Sequence, residues 1–299
     1  MDSIERKDLG TEQQNANSTN IDELSVREIL QAINQEDRSI ADKIADAIDD
    51  IENTVEICTR AIKDGGRVFY IGAGTSGRLG VLDASEIPPT FSAPTNLFTG
   101  IIAGGDEALR KSIEGAEDSA EQAIIDLRSA KVQSGDVLIG ISTSGAAKYV
   151  QSALNYATSV NLKTIYLLCN TAPLLKANVD VTISIDTGAE IITGSTRMKG
   201  GTATKMVLNM ISTTCMIRLG KVYGNLMVDL MAVNEKLVDR GVRIIMQLTK
   251  HSYEEAKEAL KKSDMSVKTA VVMIYRSCKL SEAKRLIDEN NGILRKIIQ

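Results

Sequence analysis

The stretch YIGAGTSGRLGVLDASEIPPTF, residues 70–91, decides how this chain is read. It continues the run RVFYI at 67–71, whose β-branched and aromatic residues predict a buried strand. Gly72, Gly74 and Gly77 then permit a tight turn before a helix, and the backbone N–H groups of such a helix start face an anion. Glu86 follows nine residues beyond Gly77, just ahead of Pro88 and Pro89, whose rigidity predicts the end of a short helix. An anion-binding turn joined so closely to a carboxylate points to an enzyme.

Three kinds of anion turn compete for this motif. Gly72, Gly74 and Gly77 satisfy the G-x-G-x-x-G of a dinucleotide fold, but that fold also wants an acid at the end of a second strand about 20 residues on. The next strand-like run, 97–103, ends in Gly104-Gly105-Asp106, so no acid falls at that offset. A P-loop wants Lys and a hydroxyl after its last glycine, and this chain places Arg78-Leu79 there. A loop with neutral hydroxyls at Thr75 and Ser76 is left, suited to a monophosphate.

Outward from this motif, strand-like runs recur at 67–71, 97–103, 136–141, 163–169 and 179–185, with helical stretches between them at 106–130 and 146–160. This alternation predicts an α/β fold whose parallel sheet is covered by helices on both faces and binds ligands beyond the carboxyl ends of its strands. Helical spacing precedes the sheet at 21–30 and 40–62, the second with Asp37 or Ser39 as its cap. A long buried helix is predicted at 202–220 and a wholly helical region follows it. We therefore expect an N-terminal arm with helices at 1–56, an α/β ligand-binding domain at 57–224 and a C-terminal helical domain at 225–299.

Composition removes several classes of function. The 299 residues carry a net charge of −4, which argues against nucleic acid as a partner. No apolar run is long enough to span a membrane, and the polar start MDSIERKDLGTEQQNANSTN is no secretory signal, so a cytoplasmic protein is expected. Cys58, Cys169, Cys215 and Cys278 are widely spaced and read as buried free thiols. His251 is the only histidine and reads as a surface residue in a charged helical region, so neither a His-based triad nor a zinc site is expected.

Three hydroxyl-rich loops each follow an apolar run: Thr75-Ser76, Ser142-Thr143-Ser144 and Ser195-Thr196. Each alone could be an ordinary turn capping a helix. Together, at strand ends ahead of helices, they predict a phosphate site built from helix N–H groups and hydroxyls, with no metal. Read alone, Glu86 and Glu117 could each be a surface acid or a cap, and Glu114 and Asp118 compete with Glu117.

The block GAGTSGRLGVLDASE at 72–86 with Pro88-Pro89-Thr90-Phe91 closely resembles the N-acetylmuramic acid 6-phosphate etherases, members of the sugar isomerase (SIS) fold group. The similarity continues through Thr11-Glu12, 101–105, 114–118, 193–197, Lys199, 201–203, 225–229 and 236–240, nearly the whole chain. The resemblance implies a SIS-type sheet and cofactor-independent cleavage of the D-lactyl ether of the sugar phosphate, by elimination and then hydration. It further implies catalysis by Glu86 and Glu117, and a homodimer whose active site borrows residues from its neighbour. An aldose-ketose isomerase and a non-catalytic sugar-phosphate sensor are the alternatives. One loop departs from the family: where etherases usually read S-G-R-T-P, this chain has Ser144-Gly145-Ala146-Ala147-Lys148, so Ser76, Ser142, Ser144 and backbone amides carry more of the phosphate site unless Lys148 contributes charge. Gln14 likewise stands where the family commonly has arginine.

Overall fold

The computed structural model describes residues 5–230 and 234–299. Two compact units divide the chain, one of residues 1–85 with 96–212 and the other of residues 86–95 with 213–299.

In the first unit the chain enters through an arm of short 3-10 turns and then α1 (Val26–Arg38), which Ser25 and Glu28 start with a reciprocal capping box. The helix expected over 40–62 is two: α2 (Ile40–Ala45) and α3 (Ile48–Lys63). The break falls at Ala47, which leaves helical geometry at φ −104° and ψ 11°, and Ile40, Ile44, Ala47 and Ile51 are all buried around it. Ser39 makes no side-chain cap bond.

Strands β1 (Val68–Gly72), β2 (Phe98–Ile102), β3 (Val137–Ile141), β4 (Lys163–Leu168) and β5 (Val181–Ser184) form one parallel sheet in the order β2-β1-β3-β4-β5. Every residue of β1 and β3 is buried, the mark of strands covered on both faces. Phe69, Ile71, Leu138, Tyr166 and Leu168 share a core with α5 (Ala120–Ser129) and α6 (Lys148–Ser159). On the opposite face Tyr70 lies under α4 (Gly74–Phe91), where a Cβ on Gly80 would come within 2.9 Å of the Tyr70 Cβ.

The region 106–130, expected to be one helix, consists of 3-10 turns at Asp106–Leu109 and Ala116–Asp118 followed by α5. Gly104, Gly105 and Gly115 all take positive φ, which an α-helix cannot accommodate. Pro88 and Pro89 do not end α4, which runs on to Phe91. They stand in its last two turns, where the missing N–H groups free only two carbonyls, and the buried pair Ile87 and Phe91 holds the turn. The expected helix at 202–220 is α7 (Lys199–Arg218), begun three residues earlier.

In the second unit α8 (Glu235–Thr249), α9 (Tyr253–Lys262), α10 (Val267–Arg276), α11 (Leu280–Glu289) and α12 (Arg295–Ile298) surround a core that includes Val242, Ile245, Leu260, Val271 and Leu294. Lys268 is buried within it and its ammonium donates to Asp229 Oδ2 at 2.7 Å, Gly292 O at 2.9 Å and Gly220 O at 3.0 Å. Three donors meet three acceptors, the condition for tolerating a buried charge. Burial pulls the Lys268 pKa down and Asp229 opposes that pull. Replacing Lys268 by Ala leaves Asp229 with Lys221, at 3.2 Å, as its ion-pair partner and takes a donor from two carbonyls, so a loss of about 1–3 kcal/mol is expected. Hydrogen exchange should show faster opening across α8 to α12 with β1 and β3 still protected.

Candidate functional site

The strand order places the site. β2 follows β1 on one side while β3 lies on the other, so the winding reverses between β1 and β3, where ligands of open parallel sheets bind. Gly72 pairs with Ile141 in register, so the first turn of α4 and the loop 142–147 leave the sheet side by side. Gly72 and Gly77 make the first turn possible: a Cβ on Gly72 would stand 2.7 Å from Gly77 N, and one on Gly77 2.6 Å from Gly72 O.

The structure brings several of the predicted hydroxyls together. Ser76 Oγ lies 3.5 Å from Thr143 Oγ1, and Ser76, Ser142 and Thr143 are all buried. Beneath them the buried Tyr166 phenol is pushed up to about 12 by burial, with the Ser142 hydroxyl opposing the shift. The first turn of α7 closes on both loops. A Cβ on Gly200 would meet Thr143 Cγ2 at 2.5 Å, and one on Gly201 would lie 3.5 Å from Thr75 Cγ2 and 3.8 Å from Thr196 O. Ser144, Ser195 and Thr196 are half-buried, the last two in the turn ahead of α7.

The N-terminus of α7 is already occupied. The Glu190 carboxylate, fully buried, accepts from the backbone N–H groups of Lys199 and Gly200 at 2.9 Å each. Burial raises its pKa, against the pull of those N–H groups and of the Lys199 charge. The Lys199 side chain turns the other way and donates to Glu36 Oε2 at 2.6 Å, where Asn15 and Asn17 also donate to the Glu36 carboxylate at 2.8 and 2.9 Å. Burial alone would raise the Glu36 pKa, but these donors and the Lys199 charge bring it below the ordinary value. Sequence reasoning passed over Glu36 and Glu190. The signal for Glu190 was an acid set between Ala189 and Ile191-Ile192.

Glu117 stands exposed in the 3-10 turn at Ala116–Asp118, on the lip of a cavity of about 220 Å³ lined by Gly74, Arg78, Ser112, Glu114 and Glu117 among others. The anion turn and two of the competing acids thus share one cavity. Glu86 is exposed on α4 and belongs to the second unit. Lys148 Nζ lies 3.9 Å from Asp118 Oδ1, so its charge is directed to the Glu117 turn. His251 is half-buried between α8 and α9, in a turn. The Cys169 thiol is pushed up to about 12 by burial, which leaves it a protonated, unreactive group. Among the described residues no cluster of three or more His, Cys, Asp or Glu could hold a metal ion, and no helix is long and apolar enough to cross a membrane.

Residues 50–158 match the family described as the glucokinase regulatory protein N-terminal SIS domain. An N-acetylmuramic acid 6-phosphate etherase from Bacillus mycoides (strain KBAB4) is 47% identical over 292 residues, covering 98% of this chain and 99% of that protein. A second etherase, from Bacillus cytotoxicus, is 46% identical over 290 residues, covering 97% and 99%. This chain belongs to the N-acetylmuramic acid 6-phosphate etherase family. Among solved structures, a phosphoheptose isomerase from Francisella tularensis superimposes with a TM-score of 0.48 at 18% identity, covering 64% of this chain and 100% of that one. At the start of α6 Ala147 is the cap residue and supplies no side-chain hydrogen bond.

The Lys199–Glu36 pair ties the arm to the first turn of α7, with side-chain exposures of only 6% and 13%. Replacing Glu36 by Gln leaves a buried lysine without its counter-charge and should cost about 3–5 kcal/mol in chemical denaturation. A carboxylate whose pKa is lowered by folding stabilises fully above its unfolded value. The parent's advantage over Glu36→Gln should therefore hold from neutrality to about pH 4.5 and shrink as pH falls further.

Proposed function

We propose that the protein cleaves the D-lactyl ether of N-acetylmuramic acid 6-phosphate, releasing D-lactate and N-acetylglucosamine 6-phosphate, as a cytoplasmic enzyme acting without a cofactor. The observation that carries this reading is 47% identity to an etherase over 98% of the chain, with Glu86 and Glu117 both present. The substrate phosphate sits among Thr75, Ser76, Ser142, Thr143 and Ser144, with Ser195 and Thr196 at its edge. The gathering of buried hydroxyls at the winding reversal supports that placement.

The chemistry needs two carboxylates in opposite protonation states. Ring opening exposes the C1 aldehyde, which acidifies the C2 proton, and Glu117 takes that proton. Glu86 delivers a proton to the lactyl oxygen as its bond to C3 breaks, and water then adds across the resulting C2–C3 double bond. Each proton transfer contributes about 10²- to 10⁴-fold. Release of D-lactate from the sugar phosphate without added metal or nucleotide tests the activity itself, and no release would overturn it.

The two glutamates should be separable by isotope. Glu86→Gln keeps its shape but has no proton to give, so lactate release should stop while the C2 hydrogen still exchanges with solvent deuterium. Glu117→Gln should depress exchange and release together. The reversed pattern would exchange the two roles. Replacing Ser144 by Ala should weaken binding of the sugar phosphate by about 0.5 to 3 kcal/mol, measured by calorimetry.

A homodimer is part of the same proposal. Helix α1 has no buried residue, and its Val26 and Leu30 are 75% and 61% exposed, an apolar stripe that a second copy of the chain would cover. Replacing both by Glu should shift the protein from dimer to monomer in analytical ultracentrifugation. A parent protein that is monomeric and fully active on dilution would exclude the dimer.

A further inference from the structure

Asn170, just beyond β4, joins three parts of the first unit through one side-chain amide. Its Nδ2 donates to Thr143 O and to Thr11 Oγ1, both at 3.0 Å, and its Oδ1 accepts from Thr11 N at 3.2 Å. Thr143 O and Thr11 N are backbone groups of fixed polarity, so the amide can face them in only one orientation. Asn170 and Thr11 are 3% and 0% exposed, and both protons of Nδ2 are used.

Thr143 O also accepts from Cys169 N at 2.9 Å. Two donors therefore hold this carbonyl on the β4 side of β3. Among the described residues no peptide is cis, and in a trans peptide the C=O and the next N–H point in opposite directions. The Ser144 N–H is thereby turned toward the β1 side, where the Ser76 hydroxyl lies against Thr143. Among the described residues that N–H donates to no protein group.

We propose that Asn170 is a positioning residue for the substrate phosphate: it locks the Thr143–Ser144 peptide so that the Ser144 N–H faces the crevice, and Thr11 of the N-terminal arm holds Asn170 in place. This inference rests on the phosphate site of the preceding section. It gives the arm a task in binding and explains how an α6 start without a capping hydroxyl still presents a donor to an anion. Asn170→Asp keeps the shape and the bond from Thr11 N but removes both Nδ2 donations, so Cys169 N–H is left as the single donor to Thr143 O and the peptide is held less firmly.

The test uses the full chain with inorganic phosphate as probe, steady-state kinetics on the sugar phosphate, and the ¹⁵N-resolved Ser144 amide resonance. In the parent, phosphate should compete with substrate and shift that resonance. If it does neither, the phosphate site itself is misplaced, whatever Asn170 does. Given parent binding, Asn170→Asp should raise KM and the phosphate inhibition constant together by about ten- to a hundredfold, with kcat falling far less, and abolish the Ser144 shift. Thr11→Val should move both constants the same way by a smaller factor, and Thr11→Ser should restore them. The threonine pair carries the test if Asn170→Asp does not fold. Parent-like constants in these variants, or a fall in kcat at unchanged KM, would overturn the inference.

Discussion

The reversal of winding between β1 and β3 is the constraint on which the rest of the first unit depends. Because β2 and β3 flank β1 on opposite sides, the connections leaving β1 and β3 diverge and open a crevice at their carboxyl ends. Helix α4 can begin directly at that edge only because Gly72 and Gly77 let two stretches of backbone pass where a Cβ on either would overlap the other. Its first N–H groups, the Ser76 hydroxyl and the loop from Ser142 then share one small volume. Helix N-terminal N–H groups and hydroxyls are the groups that suit an anion.

Several polar groups around that crevice are buried and paired with one another. Glu190 takes the two N–H groups at the head of α7. Lys199 reaches Glu36, Asn15 and Asn17 converge on the same carboxylate, and Asn170 connects Thr11 to Thr143 O. In a low-dielectric interior an unmatched member of such a set is costly, so the set as a whole has one arrangement. The N-terminal arm, poor in apolar residues and made of 3-10 turns, is held by these bonds more than by a core of its own.

The strands were legible because each is short, apolar and bounded by glycine or polar residues, and the structure places their ends within two residues of the runs in the sequence. The region 106–130 was not, because Gly104 and Gly105 just ahead of it and Gly115 within it take positive φ, which breaks its helical composition into turns and presents Glu117 at a cavity lip. Pro88 and Pro89 misled for the opposite reason. Each proline removes a donor that Ala84 O or Ser85 O would otherwise accept, and the burial of Ile87 and Phe91 outweighs that loss.

What the amino-acid sequence determined by itself is local or repetitive: the alternation that makes a parallel sheet, the glycine turn after β1, the hydroxyl loops, and a family signature long enough to identify on sight. What only the tertiary structure decided is which distant residues become partners. Thr11 meets Asn170 across 159 positions and Glu36 meets Lys199 across 163, separations at which no pattern of spacing carries information. The physical reason is that a periodic face declares itself through its neighbours in the chain, whereas a buried hydrogen bond is specified only once the backbone has brought a donor and an acceptor together out of water.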